Sequence, residues 1–387
     1  MPRPPLSVAD LFLKQGVAYR RTHAGHLSLG QLKVMSAMEQ CRTAALGGHR
    51  LRCEPCDEEL IAYNSCRNRH CNVCQSSAAK RWLADRQADL LPVEYFHVVF
   101  TLPAQIADIA YQNKRCVYNL LFKASAETLT TIAGDPKRLN AKLGFTSVLH
   151  TWGSSLVHHP HVHCIVPGGG LSQDRTRWIR CKPGYFLPAK VLSRLFRRLL
   201  LTQLVEAYQA GELNFYGHLR DLADPQRFQE TLAPLRKIDW YVHAKAPFCG
   251  PEAVLAYLSR YTHRVAIANS RLITMDDQKI TFRVKDYRCN KVRYQPMTLT
   301  TDEFIRRFLL HVLPSGFHRI RHYGLFASHV RRKNLTVIRQ HLNAEPPPGQ
   351  QDKDGSDNER CAPFVCHTCG APMRIVGTFC RKPRAPP

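Results

Sequence analysis

The sequence lacks any long apolar run: no stretch of its 387 residues approaches the ~18 consecutive apolar residues that a membrane-spanning helix needs. Its first residues, Met-Pro-Arg-Pro-Pro, also lack the apolar core of a secretion signal. No internal repeat with a period of roughly 20–50 residues is visible. We therefore expect a chain that does not enter a membrane and that works in the cytoplasm.

Acidic residues are scarce, since 30 Asp and Glu face 55 Lys and Arg, which gives a formal net charge of +25 and a pI near 9.7. A charge of this size points to a polyanionic partner. The basic residues do not gather on one amphipathic segment, as they would in a membrane-surface anchor, so nucleic acid is the favoured partner. With 44% hydrophobic residues the chain can bury a real core, and its length favours two or three domains.

Cysteine, by contrast, is plentiful, with 15 residues. In a secreted chain this number would predict disulfides. Here the missing secretion signal and the short spacings between the cysteines instead predict reduced thiols that bind metal.

The hydrophobic pattern alternates between helices and strands, which predicts an α+β or α/β core. Residues 95–102 are rich in β-formers and stop at Pro103, as expected of a central strand. The glycines at 168–170 predict a sharp exit from the strand before them. Further strands are predicted at 144–152, 161–166, 238–243, 271–274 and 280–285. Helices are predicted within 1–40 and at 76–91, 106–133, 187–209 and 251–263.

These elements divide the chain into four segments. A helical N-terminal region with a Cys-rich zinc-binding module covers 1–91, and the main domain with basic DNA-binding segments covers 92–343. The Pro-rich and polar stretch 344–360 is typical of a flexible linker. Residues 361–387 form a short Cys-bearing tail.

The first group of cysteines contains two Cys-x2-Cys knuckles that are separated by 14 residues. Each knuckle grips one ion with two thiolates, and two knuckles complete the tetrahedral shell of a structural zinc site. The predicted zinc ligands are Cys53, Cys56, Cys71 and Cys74. Either Cys66 or His70 is an alternative for one of the four. A closed site of this kind leaves no position for substrate.

The tail offers four more cysteines within 20 residues. A segment this short does not fold alone unless a bound metal or a cross-link stabilises it, so these cysteines predict a second zinc site. They are Cys361, Cys366, Cys369 and Cys380.

The most informative pattern is the histidine-rich stretch 149–165. Residues two apart on a strand share a face, so His161 and His163 project side by side while Val162 faces the core. His150 lies on the preceding predicted strand and supplies a third nitrogen if the two strands pair as a hairpin. Three nitrogens leave open positions on a divalent ion, which can then polarise and orient a scissile phosphate. We predict a catalytic metal site at these histidines.

The predicted helix at 251–263 carries two candidate nucleophiles. Tyr257 and Tyr261 are four residues apart and share one helix face, with Arg260 and Arg264 beside them. Because a phenol has a pKa near 10, nearby cations and a metal-bound phosphate must help it attack. The product is a phosphotyrosine bond that conserves the energy for rejoining. The same stripe also fits a helix that simply packs into the core.

Two basic runs without acids, 175–198 and 304–340, each contain eight Lys or Arg interleaved with aromatic residues. Cations contact phosphates, and aromatic rings stack on unpaired bases. We predict DNA-binding surfaces in both runs, with Arg319 and Arg321 among the contacts.

In order along the chain, the Cys cluster, the His-x-His strand and the Tyr-x3-Tyr helix resemble the rolling-circle transposases of the insertion sequence 91 family. The similarity extends from about residue 20 to residue 340. Its motifs are Tyr63-Asn-Ser-Cys-Arg-Asn-Arg-His-Cys71, His97-Val-Val-Phe-Thr-Leu-Pro103, His159-Pro-His-Val-His-Cys164, Tyr257-Leu-Ser-Arg-Tyr-Thr-His-Arg-Val-Ala-Ile-Ala-Asn-Ser270 and Ile320-Arg-His-Tyr-Gly-Leu-Phe326.

The resemblance implies the HUH endonuclease fold, an α+β arrangement in which helices flank an antiparallel sheet. It also implies Mg²⁺ or Mn²⁺ as the catalytic ion and Tyr257 and Tyr261 as nucleophiles, of which one or both act. The implied reaction nicks and rejoins single-stranded DNA at transposon ends through a 5′-phosphotyrosine intermediate and transfers it into target DNA. Host replication proteins would extend the freed 3′ hydroxyl, at the bacterial nucleoid.

Two other functions remain open from the sequence. A plasmid replication initiator or relaxase uses the same chemistry on a different substrate, and the spacing from His150 to His161 is similar to that of relaxases. A zinc-dependent DNA-binding regulator would bind DNA without a metal-dependent nick.

Overall fold

The computed structural model describes residues 6–75, 79, 83, 86–87, 89–245, 253, 265–286, 293–345 and 364–381. Within them, antiparallel sheets are flanked by helices, which confirms the predicted α+β class. The helices are α1 (Val8–Thr22), α2 (Leu29–Gln40), α3 (Ala104–Gln112), α4 (Lys114–Gly134), α5 (Ala189–Gln209), α6 (Pro225–Leu232), α7 (Thr301–Leu310) and α8 (Arg331–Leu342). The predicted helix at 251–263 and most of the one at 76–91 lie outside the described residues.

All six predicted strands overlap strands of the structure: the one at 144–152 has the predicted bounds, and the one at 238–243 begins four residues later than predicted. Seven further strands among the described residues were not predicted. In chain order, the described strands are β1 (Gly48–Arg52), β2 (Glu59–Tyr63), β3 (Tyr95–Thr101), β4 (Gly144–Trp152), β5 (His158–Pro167), β6 (Gly169–Leu171), β7 (Trp178–Arg180), β8 (Val242–Lys245), β9 (Leu272–Met275), β10 (Lys279–Asp286), β11 (Arg293–Thr300), β12 (Ile320–Gly324) and β13 (Arg374–Phe379).

A five-stranded antiparallel sheet in the order β12-β4-β5-β3-β8 forms the centre of the main domain. Because side chains alternate between its faces, Phe96, Val98 and Phe100 of β3 point to one side and His97 to the other. Helices α3, α4 and α5 cover the phenylalanine side and form the largest hydrophobic core with it. The opposite face carries the histidines.

One predicted helix, 106–133, is split into α3 and α4 at Asn113. The Asn113 amide donates hydrogen bonds to the carbonyls of Ile109 and Asn214, and its side-chain oxygen accepts one from the backbone N–H of Asn214. The side chain thereby satisfies backbone groups at the break, which a periodic apolar pattern does not reveal.

A second core joins the N-terminal helices to the three-stranded sheet β11-β10-β9 and to α7. Phe12 of α1 meets Phe308 of α7 edge-on, with ring centroids 5.4 Å apart, and Phe282 of β10 meets Phe304 at 5.5 Å. The N-terminal region thus packs on the sheet that follows the tyrosine-bearing segment.

A third, three-stranded sheet has the order β13-β1-β2 and unites the two ends of the chain. Strand β13 of the tail pairs antiparallel with β1, and Leu51 stands opposite Ile375. The tail, predicted from the sequence as a separate small segment, therefore adds a strand to the N-terminal module.

The sequence predicted a sharp exit from the strand at glycines 168–170. Instead, these glycines lead into a further strand, β6, which pairs with β7. A Cβ on Gly170 would lie 2.3 Å from the carbonyl oxygen of Lys142. Glycine at this position therefore permits a close approach between two backbone segments rather than a sharp turn.

We predict that Phe100→Ala lowers the free energy of unfolding by about 3–5 kcal/mol, because a large buried aromatic side chain leaves a cavity. Phe100 is fully buried and its ring lies 5.0 Å from that of Phe196. The measurement is a thermal melt followed by circular dichroism. Tyr185→Ala, at a residue that is 50% exposed, is the matched control and should leave the melting temperature nearly unchanged. Equal shifts in the two variants would contradict the assigned core.

Candidate functional site

Three histidines converge on the exposed side of the central sheet. His150 of β4 stands directly opposite His161 of β5, and His163 of β5 is opposite Val148. One ring nitrogen from each of the three lies within 4.8 Å of the others. The predicted hairpin is thus present, and the strand alternation places all three imidazoles on one face, while Val162 between them is fully buried in the helix-covered core.

Burial and hydrogen bonding fix the protonation of the His161 ring. Desolvation lowers its pKa to about 4, so the ring is neutral at pH 7. Its Nδ1 lies 2.6 Å from the carbonyl oxygen of His159, which can only accept, so Nδ1 carries the proton and donates. The lone pair is therefore on Nε2, as a metal-binding imidazole requires.

His97 is a fourth histidine of this face that the sequence reasoning missed. It projects from β3, and its Nε2 lies 2.6 Å from Nδ1 of His163. The two rings stack with centroids 4.9 Å apart. The signal that could have found it is an ionisable residue inside the apolar and β-branched run 95–101.

An open cavity of about 900 Å³ lies over the histidines. Its wall includes the cations Arg283 and Lys285 of β10 and Arg271, which directly precedes β9, and no Asp or Glu lines it within the described part of the chain. Arg271 is held by a hydrogen bond of 2.8 Å from Nε to the carbonyl of Arg283. A cavity with cationic walls above the histidine side chains suits an anionic substrate such as a phosphodiester.

The predicted nucleophiles Tyr257 and Tyr261, and the predicted DNA contacts Arg260 and Arg264, lie outside the described residues. The structure does place two other phenols at the cavity. Tyr241 precedes β8 and Tyr294 lies on β11; both line the cavity and are largely exposed. His243 stacks on Tyr241, with ring centroids 6.0 Å apart.

The two remaining predicted DNA contacts occupy different places from those expected. Arg319 is only 7% exposed, and burial lowers its pKa to about 9. The guanidinium of Arg321 lies 4.2 Å from the ring centroid of Phe122 and 5.2 Å from that of Phe317, on the helix-covered side of the sheet. The prediction that Arg319 contacts DNA is wrong, because its side chain is buried inside the protein and is not on the surface.

The other basic run supplies a separate cationic groove. Arg194, Arg197 and Arg198 of α5, together with Arg236, line a cavity of about 600 Å³ on the helix-covered side of the sheet. This groove is on the opposite side from the histidines, and its role in DNA binding stays a prediction.

The cysteines form two clusters, and the sulfurs of each lie within 4.8 Å of one another. The first sulfur cluster consists of Cys41, Cys66, Cys71 and Cys74. Zn–S bonds of about 2.3 Å in a tetrahedron place sulfurs about 3.8 Å apart, and the Sγ atoms of Cys66 and Cys74 are 3.7 Å apart. His70 is excluded as a ligand, because Asn68 binds its Nδ1 and the backbone N–H of Leu313 donates to its Nε2.

The second sulfur cluster consists of Cys53, Cys56, Cys366 and Cys369. The predicted grouping of two N-terminal knuckles around one ion is therefore wrong, because β13 brings the tail knuckle to the Cys53 knuckle and leaves the Cys71 knuckle to Cys41 and Cys66. The predicted tail set is wrong for the same reason. Cys361 lies outside the described residues, and Cys380 is exposed and belongs to neither cluster.

Comparison with known proteins gives two family matches and two relatives. Residues 11–102 match the transposase zinc-binding domain, and residues 144–334 match a family described as putative transposase. A putative transposase of Sinorhizobium fredii is 58% identical over 347 residues, which cover 90% of this chain and 87% of that protein. The transposase for insertion sequence element IS801 of Pseudomonas savastanoi pv. phaseolicola is 25% identical over 383 residues, covering 96% and 89% respectively.

The chain belongs to the insertion sequence 91 family of transposases. The zinc-binding match contains the whole first sulfur cluster, which supports structural zinc in the transposase. The second match contains the three histidines and the predicted nucleophiles Tyr257 and Tyr261. No helix among the described residues of the transposase is long and apolar enough to cross a membrane.

Two buried histidines near the site make the stability of the transposase depend on pH. Burial lowers the pKa of His158 and of His311 to about 3, whereas an unfolded histidine titrates near 6.5. Between these values the unfolded state binds more protons, so the free energy of unfolding falls as the pH drops below about 6.5.

We predict that His158→Gln flattens this pH dependence, because it removes one group that only the unfolded state protonates. The measurement is the urea concentration at the midpoint of unfolding, at pH 7.5, 6.0 and 5.0 in zinc-saturated buffer. This pH range lies above the pKa of most carboxylates, so histidine titration dominates the change. His218→Gln is the control, since that side chain is 71% exposed. An unchanged slope in His158→Gln would show that His158 is not held neutral.

Proposed function

We propose that the transposase nicks and rejoins single-stranded DNA by tyrosine attack on a phosphate that is oriented by a divalent ion on His150, His161 and His163. The observation that carries the proposal is the convergence of these three imidazoles at the base of a cation-lined cavity. A purely structural cluster of histidines would not require an open cavity above it whose described lining contains cations and no Asp or Glu.

The donor set fits a divalent ion. The Nδ1–H of His161 donates to a backbone carbonyl, and Nδ1 of His163 lies against Nε2 of His97, so these outer partners orient both rings. Three nitrogens without a carboxylate favour Mn²⁺ over the harder Mg²⁺. When bound, such an ion would polarise the scissile phosphate and stabilise the charge that builds on it.

The remaining residues of the cavity bind and orient the strand. Arg271, Arg283 and Lys285 offer cations at the cavity wall, where they hold phosphates on either side of the scissile one. Attack forms the bond between the tyrosine oxygen and phosphorus, breaks the bond to the 3′ oxygen and frees a 3′ hydroxyl. Rejoining reverses these changes with a new 3′ hydroxyl as the attacking group.

We assign the nucleophilic role to Tyr257 and Tyr261, because the described residues that flank their segment lie at the site. Their segment is bounded by β8, whose last residue Lys245 is opposite His97, and by Ala266, which lines the cavity. Tyr241 and Tyr294 are the alternative phenols.

Zinc in the first sulfur cluster has a structural role in this proposal. Four thiolates close its coordination shell, and Cys41, Cys71 and Cys74 are buried in the core that α1, α2 and α7 share. The cluster therefore fixes the N-terminal helices against the small sheet whose cations line the cavity.

The nuclease is tested with single-stranded oligonucleotides that cover the two ends of the transposon, incubated with the protein and Mn²⁺ or Mg²⁺. We expect a covalent protein–DNA adduct on a denaturing gel, and its loss with chelator and in the double variant Tyr257→Phe, Tyr261→Phe. Each single variant shows which tyrosine acts. Tyr216→Phe is the control, because Tyr216 is exposed and does not line the cavity.

Two outcomes would overturn this assignment. If Tyr241→Phe or Tyr294→Phe abolishes the adduct while the Tyr257→Phe, Tyr261→Phe protein keeps it, the nucleophile is Tyr241 or Tyr294, respectively. If the wild-type protein binds the oligonucleotides but gives neither nick nor adduct, the protein is a zinc-dependent DNA-binding protein.

We predict that His97→Ala weakens Mn²⁺ binding about 10–100-fold, the usual effect of removing a partner that orients a metal-binding histidine. His161→Ala with His163→Ala should abolish it. Isothermal titration calorimetry on protein with its zinc retained measures the affinity. His243→Ala is the matched control, since His243 is on the same face but is exposed and outside the triad. Unchanged affinity in His97→Ala would refute the orienting role.

A further inference from the structure

We propose that the second sulfur cluster is a zinc clasp, a discontinuous zinc ribbon that fastens the C-terminal segment to the N-terminal module. Its sulfurs come from residues up to 316 positions apart. The Sγ atoms of Cys53 and Cys369 are 3.4 Å apart, those of Cys56 and Cys366 3.5 Å, and those of Cys56 and Cys369 3.6 Å. These separations approach the edge of about 3.8 Å in a tetrahedral zinc–thiolate site.

The two knuckles have the same backbone geometry. In the first, the N–H of Asp57 donates to the carbonyl of Cys53, and the N–H of Cys53 donates to Glu58, five residues on. In the second, the N–H of Gly370 donates to the carbonyl of Cys366, and the N–H of Cys366 donates to the carbonyl of Ala371, again five residues on.

The backbone dihedrals repeat as well. Asp57 and Gly370, each the residue after the second cysteine of its knuckle, have φ of +58° and +74°. A non-glycine residue in this region is uncommon and needs a local reason. Two turns of matching form that face each other across one centre are the arrangement by which paired knuckles hold a single ion.

The arrangement of the sulfurs favours a metal over disulfides. Cys56 approaches both Cys366 and Cys369, so the thiols share a common centre rather than forming two separate pairs. A disulfide bond is about 2.05 Å long, well below the separations observed here. Four thiolates in a tetrahedral array select zinc among the common divalent ions.

The local core is too small to hold the tail without a staple. Among the described residues its buried members are Leu51, Cys53, Cys366 and Met373, so two of the four are themselves ligands of the proposed site. Strand β13 also contributes backbone pairing with β1, an edge-on contact between the rings of Phe379 and Tyr63, and a surface ion pair between Arg374 and Glu54, which stabilises little. Docking of residues 364–381 should therefore depend on the ion.

The clasp differs from the first sulfur cluster in exposure. Cys56 and Cys369 are exposed, whereas Cys41, Cys71 and Cys74 of the first cluster are buried. A chelator reaches the exposed thiolates first, so the clasp opens while the N-terminal core keeps its zinc. This inference does not depend on the nuclease chemistry of the protein.

Zinc stoichiometry tests the site. The full chain is purified in a His161→Ala, His163→Ala background, so that the histidines retain no ion, and zinc is measured by mass spectrometry. We expect two zinc ions per chain, and one after Cys366→Ser with Cys369→Ser. Cys380→Ser, at an exposed tail cysteine outside both clusters, should keep two. Equal zinc in the parent and the Cys366→Ser, Cys369→Ser protein would overturn the clasp.

Tail release tests the fastening directly. A protease site is inserted at residues 351–356 of the full chain, the linker is cut, and the fragments are separated by gel filtration. We expect the tail to stay with the body in zinc and to dissociate in a mild chelator that removes only one zinc ion. The Cys366→Ser, Cys369→Ser tail should dissociate without chelator. A tail that stays bound in both cases, or that is released only by reductant, would disprove a zinc clasp.

Discussion

The pairing register of β4 with β5 is the constraint on which the rest of the structure depends. Leu149 faces Val162 on the helix-covered side, and His150 faces His161 on the other. A slip of one residue would turn the histidines into the core and the apolar residues out. Packing of Val162 and its neighbours against α4 and α5 therefore enforces the geometry of the histidines, so that the core and the site are two faces of one register.

Charge is distributed in layers around the cavity of this transposase. At its base, burial lowers the pKa of His161 to about 4, which leaves the ring neutral and able to bind metal near pH 7. The permanent cations Arg271, Arg283 and Lys285 are at the wall and belong to elements other than the strands of the histidines. In the proposed reaction these cations and the imidazoles would contact the DNA together.

The two sulfur clusters lie in cores of very different size. The first sulfur cluster is embedded in the core of α1, α2 and α7, whereas the second connects two turns that have little apolar surface of their own. Small modules with few buried residues need such a staple. The second cluster joins segments that are distant in sequence, from Cys53 to Cys369, whereas the first gathers cysteines between Cys41 and Cys74.

Local chemistry was determined by the sequence itself. Strand alternation predicted the shared face of His150, His161 and His163, and apolar periodicity predicted helices α1 to α5 and the strands of the histidine site, because these signals lie within a few neighbouring residues. The sequence did not reveal the orienting His97, the burial of Arg319 or the partners of Cys53. Those depend on which strands pair and which segments return to each other, and contacts between residues hundreds of positions apart are decided only when the whole chain packs.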